Sequence, residues 1–238
     1  MKILSIGNSF SQDAHRYFAE IAREFDPDVK AENLYIGGCS LVRHYNNIVN
    51  DLSEYTLERN GVSTEKLISI KDALLSDDWD VITIQEVSTR STDVRNFEPY
   101  ITNIVNYVRK LCPKAKIALH ETWGYESHTH RIKNQGYFTY SEMFGDIERA
   151  YRSARDIVNA DLIIHSGKAL QLLNDRGMAI HRDGAHASLG IGRFALALTW
   201  VSAIYHVKIT DVRFDNFDEP VSYEDCMAIK TIVDEMIS

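Results

Sequence analysis

The chain opens with Met1-Lys2-Ile3-Leu4-Ser5-Ile6-Gly7-Asn8-Ser9-Phe10-Ser11, and this stretch decides the fold. Its first part is a short, mostly apolar run, which predicts a strand at residues 2–6. Over residues 12–25, apolar side chains then recur at the three- and four-residue spacing of an amphipathic helix. A strand that passes through a glycine into a helix is typical of α/β domains.

The same alternation continues along the chain. Further strands are predicted at residues 29–35, 81–84, 117–119 and 162–164. Helices are predicted at residues 97–111, 144–159, 190–204 and 222–237. Strands that alternate with helices pair in parallel, so we expect a central five-stranded parallel sheet.

Two segments depart from this alternation. Residues 55–59 alternate in polarity and precede Asn60-Gly61, a strong hairpin-turn dipeptide, which predicts a small inserted hairpin at about residues 53–64. Residues 124–140 form a polar stretch rich in His and Tyr, typical of a functional loop. The sequence contains no repeat, low-complexity tract or linker, and we therefore expect a single domain over residues 1–238.

The composition excludes several classes of protein. The 238 residues include 26 Lys and Arg against 34 Asp and Glu, a net charge of −8. This acidic balance argues against nucleic acid or a membrane surface as partner, because both require a positive face. No apolar run approaches the roughly 20 residues that cross a bilayer. The oligomeric state is left open.

The number and spacing of the cysteines indicate the cellular compartment of the protein. Cys39, Cys112 and Cys226 are few, odd in number and widely spaced, so they imply no disulfide framework. We therefore expect a cytoplasmic protein. A secreted or periplasmic protein is the alternative if a signal peptide has been removed.

In an open parallel sheet, ligands bind beyond the carboxyl ends of the strands. Ser9 follows the first strand at the start of a helix, where the hydroxyl of a nucleophile would project from a sharp turn. The free N–H groups of the helix start would favour an oxyanion there. The alternative is that Ser9 and Ser11 merely cap the helix.

A second pair of residues near the C-terminus complements Ser9. A nucleophilic serine requires a base, and the imidazole of that base requires an acceptor on its other nitrogen. Asp183 and His186, three residues apart just before an apolar helix, can present both groups from one loop. His181 is a rival base, but it lacks this spacing to Asp183.

Three blocks of the sequence resemble the SGNH (GDSL-type) serine hydrolases. They are Ile6-Gly7-Asn8-Ser9-Phe10-Ser11, Asn33-Leu34-Tyr35-Ile36-Gly37-Gly38 and Asp183-Gly184-Ala185-His186. They occur in the order and spacing of that family, and the resemblance spans nearly the whole chain.

The resemblance implies a flavodoxin-like three-layer α/β/α sandwich. It implies that Ser9 is the nucleophile, that His186 is the general base and then acid, and that Asp183 orients His186. It also implies an oxyanion hole formed by the backbone N–H groups of Ser9 and Gly38, and no cofactor.

The sequence departs from the family pattern at two positions. Asn8 stands where the family usually has Asp. The third block normally carries a Gly-x-Asn whose amide completes the oxyanion hole, whereas the third strand here ends in Ile84-Gln85-Glu86. Gln85 is the nearest carboxamide and is the expected third donor. The Gln-Glu pair is similar to carbohydrate-esterase branches of the family.

Other residues offer alternative chemistry. His128 and His130, with His120 and Glu121 nearby in sequence, suggest a zinc site, although His-x-His in a polar loop is usually only exposed to solvent. We expect no metal. Cys39, next to Gly38, is a conceivable thiol nucleophile but lacks the strand-to-helix turn of Ser9, so we expect it to be at least half-buried.

The expected substrate is a small-molecule or glycan ester. Asn8, Glu86 and Trp123 are candidate substrate-binding residues, and Trp123 with Tyr125 would form a platform for a sugar ring. An equally weighted alternative is that the two aromatic residues only pack the long loop onto the domain.

The sequence thus predicts a serine esterase that hydrolyses small acyl esters, with an O-acetylated carbohydrate as the expected substrate. The alternatives are a catalytically weak or silent glycan-binding protein and a lipase or thioesterase-type acyl hydrolase. A further alternative is a flavodoxin-like domain that binds a phosphorylated ligand at Ser9 and Ser11.

Overall fold

The computed structural model of the protein describes residues 1–237. Over these residues seven strands form one sheet, in the spatial order β4-β3-β2-β1-β5-β6-β7. The strands are β1 (Lys2–Gly7), β2 (Lys30–Tyr35), β3 (Tyr55–Arg59), β4 (Val62–Ile68), β5 (Val81–Ile84), β6 (Lys116–His120) and β7 (Leu162–Ile164).

Five of the strands are the ones that the sequence predicts, and they pair in parallel. β1 lies between β2 and β5, and β6 and β7 follow on the β5 side. The expected fold class is therefore confirmed, but the sheet has seven strands rather than five. The two extra strands, β3 and β4, form a hairpin that pairs antiparallel with β2.

The hairpin turns at Asn60 and Gly61, both of which have positive φ angles. A Cβ at Gly61 would lie 2.8 Å from the carbonyl oxygens of His15 and Arg16, so only glycine fits against the first helix. β4 extends to Ile68, beyond the segment that the sequence predicts. The hairpin therefore extends the central sheet.

Within the described residues, nine α-helices cover the two faces of the sheet. They are α1 (Ser9–Ala22), α2 (Leu41–Val49), α3 (Ile70–Leu75), α4 (Tyr100–Leu111), α5 (His130–Asn134), α6 (Tyr140–Val158), α7 (Ser166–Asn174), α8 (Ile191–Tyr205) and α9 (Tyr223–Ile237). α8 packs against α1, α7 and α9, while α4 packs against α2, α3 and α6. The result is a three-layer sandwich. None of the described helices combines the length and the apolar character required to cross a membrane.

Helix boundaries differ from the predicted ones where capping decides them. α6 begins four residues earlier than predicted because Thr139 and Glu142 form a capping box. α1 begins at Ser9 rather than at residue 12, because Asn8 is its cap. α9 begins just after Ser222, whose hydroxyl accepts a hydrogen bond from the N–H of Asp225, as expected.

Candidate active site

Because β1, β2, β5, β6 and β7 are parallel, their carboxyl ends lie at one edge of the sheet. At this edge β1 passes directly into α1. The backbone of Asn8 is extended, and its side-chain Oδ1 accepts a hydrogen bond of 3.0 Å from the N–H of Phe10. Asn8 therefore caps α1, and Ser9 stands at the first helical position with its hydroxyl free for other contacts.

Ser11 does not cap the helix either. Its hydroxyl lies 2.8 Å from the carbonyl oxygen of Asn8 and 2.8 Å from Oδ1 of Asn33 on β2, and the side chain is buried. The alternative in which Ser9 and Ser11 serve as helix caps is thus wrong. Ser11 instead joins the turn after β1 to the neighbouring strand.

The side chains of Ser9, His186 and Asp183 form a continuous hydrogen-bonded series. Oγ of Ser9 lies 2.9 Å from Nε2 of His186, and Nδ1 of His186 lies 2.7 Å from Oδ2 of Asp183. Because a carboxylate only accepts, Nδ1 of His186 carries the proton and Nε2 is left to accept from the serine hydroxyl. This is the geometry required to activate a serine nucleophile.

Hydrogen bonds keep the carboxylate of Asp183 ionised and next to His186. Besides the His186 ring, it accepts hydrogen bonds from the backbone N–H groups of Ala185 (3.1 Å) and His186 (2.9 Å). Partial burial acts to raise the pKa of Asp183, but these hydrogen bonds and the charge of His186 outweigh it. The pKa of Asp183 therefore lies well below its ordinary value, and the carboxylate stays ionised in mildly acidic solution.

The loop that carries Asp183 and His186 is anchored from two sides. On one side, Nε1 of Trp123 donates to the carbonyl oxygen of Ala185 at 2.8 Å, and the Trp123 ring stacks on Phe10 of α1 at 3.9 Å. The His186 ring also meets the edge of Phe10, with 5.8 Å between centroids. Phe10 and Trp123 thus support the imidazole from below.

On the other side, Asp13 of α1 binds both ends of the loop. Its fully buried carboxylate accepts hydrogen bonds from Nη1 of Arg182 (2.8 and 2.9 Å) and from the N–H of Ala187 (3.2 Å). Nε of Arg193 on α8 donates to the same carboxylate at 2.9 Å. Asp13 lies one helical turn after Ser9, so one helix holds both the serine and the loop of its partner histidine.

The turn after β2 lies beside Asn8. Nδ2 of Asn8 donates to the carbonyl oxygen of Cys39 at 2.9 Å, which brings Gly37 and Gly38 next to the start of α1. Gly38 is exposed and has a φ of +61°, a conformation that favours glycine. Over residues 1–237, neither the N–H of Ser9 nor that of Gly38 donates to a protein acceptor. Both N–H groups are therefore free to donate to a bound group.

Gln85 and Glu86 lie at the end of β5 and are buried. Nε2 of Gln85 donates to Oδ1 of Asn8 at 2.7 Å, and its Oε1 lies 2.6 Å from Nδ1 of His120. Oε1 of Glu86 accepts from the N–H groups of Leu41 (2.9 Å) and Val87 (2.7 Å). The Gln-Glu pair therefore ties the turn after β2 to the end of β5.

The structure corrects the expected substrate-binding role of Asn8, Glu86 and Trp123. Trp123 and Glu86 are 0% exposed and Asn8 is 2% exposed. The Trp123 ring face that would carry a sugar is already covered by Phe10, and Tyr125 is also buried, with its hydroxyl 2.8 Å from that of Ser88. These residues shape the site from beneath it and present no surface to a substrate.

The rival residues are placed away from the serine. His181 is largely buried, which lowers its pKa, and its Nε2 lies 3.0 Å from the carbonyl oxygen of Gly124 rather than near Ser9. Cys39 is 0% exposed, and burial raises the pKa of its thiol to about 12. A thiol with such a pKa stays protonated and is a poor nucleophile.

The four residues of the suggested zinc site are divided between the interior and the surface. His128 and His130 are exposed, whereas His120 and Glu121 are fully buried and bonded to Gln85 and His165. In the part of the chain that the structure describes, no group of three or more His, Cys, Asp or Glu side chains is placed to hold a metal ion.

Sequence reasoning gave no place beside the site to Asp13 or Phe10, and it considered His120, which contacts Gln85, only as a zinc ligand. Asp13 lies on the face of α1 that also carries Ser9 and Tyr17, and an acidic residue on that apolar face was a usable signal. His120 ends the apolar strand β6, and Phe10 directly follows the serine. No sequence pattern distinguishes the latter two from ordinary core residues.

Comparison with known proteins places the chain among a set of related structures. A sequence profile described as "Domain of unknown function (DUF4886)" matches residues 2–232. A crystal structure of a DUF4886 family protein from Bacteroides uniformis ATCC 8492 is 31% identical, with a TM-score of 0.88 over 100% of this chain and 94% of that one. None of the curated proteins matches the chain.

More distant structures share the fold. A protein from Slackia heliotrinireducens described as a candidate SGNH hydrolase is 20% identical, with a TM-score of 0.61 over 86% of this chain and 98% of that one. The acetyl xylan esterase AlAXEase is 18% identical, with a TM-score of 0.58 over 86% of this chain and 100% of that one. The fold is therefore that of the SGNH hydrolases.

Proposed function

We propose that this chain, which belongs to the DUF4886 family, is a serine esterase that hydrolyses small acyl esters through Ser9, His186 and Asp183. The observation that carries the proposal is the series of hydrogen bonds from Ser9 through His186 to Asp183, at 2.9 and 2.7 Å. The series lies at the carboxyl edge of the sheet, where α/β proteins bind their ligands. The shared fold of the SGNH hydrolases agrees with this proposal.

The first half of the reaction acylates the enzyme. Oγ of Ser9 attacks the ester carbonyl carbon while Nε2 of His186 takes the hydroxyl proton. The carbonyl oxygen becomes an oxyanion that accepts hydrogen bonds from the N–H groups of Ser9 and Gly38. As the intermediate collapses, the bond to the leaving alcohol breaks and His186 returns the proton to the alcohol oxygen.

The second half releases the acid. His186 takes a proton from water as the water oxygen attacks the carbonyl carbon of the acyl-enzyme. The bond to Oγ of Ser9 then breaks, and His186 returns the proton to the serine. Throughout, Asp183 holds the imidazole in one tautomer and stabilises its charged form.

We assign the third oxyanion donor to Gln85. One hydrogen of its Nε2 is engaged by Asn8, and the second is free to serve the oxyanion. In this assignment Gln85 takes the place of the asparagine found in the third block of other SGNH hydrolases. One such donor is worth about 2.7–4 kcal/mol of transition-state stabilisation.

For the substrate, we propose an acetyl ester of a carbohydrate. The loop across from Gly184 presents Glu126, Thr129 and Arg131, whose side chains lie within 4 Å of the position of a Gly184 Cβ. This polar loop, next to the segment that carries Asp183 and His186, suits a hydroxylated alcohol better than a long acyl chain. The structural similarity to AlAXEase and the Gln85-Glu86 pair also favour an acetyl ester of a carbohydrate.

Turnover of p-nitrophenyl acetate by the purified protein tests the proposal. We expect hydrolysis that falls by at least about 10³-fold in Ser9→Ala, since the nucleophile is lost. Ser153→Ala, on the exposed face of α6, is the matched control and should keep wild-type activity. Equal activity in Ser9→Ala and the wild type would show that Ser9 is not the nucleophile.

A panel of esters tests the substrate class. We expect activity to fall from acetate to octanoate esters of p-nitrophenol, and O-acetylated sugars to release acetate. A preference for octanoate would favour a lipase-type enzyme. Sugar binding without any ester turnover would favour the silent glycan-binding protein.

A further inference from the structure

The orientation of the Asn8 amide can be deduced from the backbone groups around it. The N–H of Phe10 can only donate, so the Asn8 atom 3.0 Å away is the oxygen Oδ1. The carbonyl oxygen of Cys39 can only accept, so the atom 2.9 Å from it is the nitrogen Nδ2. Asn8 thus has one permitted orientation, and it bonds directly to the residue after Gly38.

The same reasoning extends to Gln85. Its amide lies 2.7 Å from Oδ1 of Asn8, which accepts, so Gln85 must present its nitrogen there. Its oxygen Oε1 then faces Nδ1 of His120 at 2.6 Å, so this nitrogen of His120 must carry a hydrogen. Three side chains therefore donate in a single direction, from His120 to Gln85, from Gln85 to Asn8 and from Asn8 to the Cys39 carbonyl, which is the final acceptor.

His120 is held rigidly at the start of this chain. It ends β6, is 0% exposed, and its ring meets the edge of Trp200 with 4.8 Å between centroids. Burial and the neighbouring His15 lower the pKa of His120 to about 3, so the imidazole is neutral at any pH at which the protein is expected to work. In this neutral ring the contact with the Gln85 oxygen places the single hydrogen on Nδ1.

We propose that His120 is a positioning residue for the oxyanion hole, acting through Gln85 and Asn8 on the turn that carries Gly38. The proposal rests on the esterase function proposed above. Without the Nδ1–H of His120, the Gln85 oxygen is buried with no donor, and the amide loses one of the two contacts that fix its orientation. A rotated amide sets oxygen against Oδ1 of Asn8, which disturbs Asn8, the Cys39 carbonyl and the hydrogen that Gln85 offers the oxyanion.

A pair of variants separates the donor from mere packing. His120→Asn places an amide nitrogen near the position of Nδ1, whereas His120→Leu has nearly the same shape as Asn but no donor. We expect His120→Leu to lower kcat on p-nitrophenyl acetate by about 10²-fold, the effect of losing one oxyanion donor, with KM within about threefold. His120→Asn should retain kcat within about fivefold of the wild type.

If the Leu and Asn variants have the same kcat, the donor has no role and the proposal is wrong. A wild type without esterase turnover would instead refute the esterase function itself. Activity in the wild type together with undiminished activity in His120→Leu would refute only the role of His120.

A second measurement requires neither activity nor a folded variant. The ¹⁵N chemical shifts of the His120 ring in the wild-type protein report which nitrogen carries the hydrogen. We expect the Nδ1–H tautomer, unchanged between pH 5 and 8. The Nε2–H tautomer, which leaves Nδ1 without a hydrogen, would overturn the proposal.

Discussion

Nε2 of His186 lies 2.9 Å from Oγ of Ser9, although 177 residues separate them in the chain. The packing of α1 on α8 produces this contact, because Ser9 begins α1 and the His186 loop immediately precedes α8. Asp13 strengthens the same junction through Arg182 and Ala187. The hydroxyl and the imidazole are therefore held by the core of the domain.

Asp183→Asn tests the orientation of the histidine. An amide can donate to Nδ1 of His186 and so favour the wrong tautomer, in which Nε2 no longer accepts the serine proton. We expect kcat on p-nitrophenyl acetate to fall by about 10³–10⁴-fold. We expect a modest fall in melting temperature, because the Asp183 carboxylate accepts three hydrogen bonds but its side chain is 38% exposed. A loss of less than about tenfold would show that another group orients His186.

Asp13→Asn tests the link between α1 and the histidine loop. The buried Asp13 carboxylate neutralises Arg182 and Arg193, and its loss leaves Arg182 without a carboxylate and Arg193 with Asp218 alone. We expect the free energy of unfolding to fall by about 3 kcal/mol or more. We also expect kcat to fall at temperatures where the variant is folded, because the ends of the loop are released.

The control for this prediction is Asp218→Asn. Asp218 also pairs with Arg193, but it is partly exposed and does not contact the histidine loop. Urea unfolding should therefore give a smaller loss, about 1 kcal/mol, with unchanged kcat. Equal effects of the two variants on kcat would contradict a specific role for Asp13.

Glu86→Gln tests the buried carboxyl at the end of β5. Burial raises the pKa of Glu86 above its ordinary value of 4.5, despite the hydrogen bonds from Leu41 and Val87. A raised pKa in the folded state means that stability is lost as the pH rises through it and the carboxyl ionises. Gln keeps the Oε1 acceptor without the charge. We therefore expect Glu86→Gln to be more stable than the wild type at pH 7.

Urea unfolding of both proteins from pH 4 to pH 8 measures this effect. The advantage of Glu86→Gln should shrink as the pH falls toward 4.5, because the wild-type carboxyl is then protonated in the folded state. A difference in stability that does not depend on pH would contradict the assigned shift.

Trp123→Phe distinguishes a buried support from a sugar platform. Phe keeps a ring against Phe10 but loses the hydrogen bond to the Ala185 carbonyl, which costs about 1 kcal/mol. We expect a several-fold loss of kcat with similar KM values for p-nitrophenyl acetate and for an O-acetylated sugar. A rise in KM for the sugar ester alone would indicate that Trp123 does contact the sugar ring.

Much of the fold followed from local patterns. The five parallel strands are short apolar runs, and Asn60-Gly61 locates the hairpin turn. The helices that the sequence did not predict are short: α2 carries His44, Asn46 and Asn47, and α7 begins with no side-chain cap. Their stability comes from packing against the sheet and neighbouring helices, which local propensity does not express.

The site was predictable to the extent that its spacing is encoded in the chain. Asp183 and His186 are three residues apart, and Ser9 follows the first strand at the start of a helix, so their chemistry can be read in sequence. Burial cannot be read in this way, so the sequence left two interpretations of Trp123 open, and its burial supports packing rather than a sugar platform. For the same reason, the sequence does not reveal the proposed role of His120, which depends on which atom of the Gln85 amide faces it.

Covalent labelling of Ser9 tests the central claim most directly. The wild-type protein, Ser9→Ala and His186→Ala are treated with a fluorophosphonate, and the modified residue is located by mass spectrometry of peptides. We predict a single adduct on Ser9, formed much more slowly in His186→Ala and absent in Ser9→Ala. An adduct on another residue, or labelling that persists in Ser9→Ala, would contradict the account.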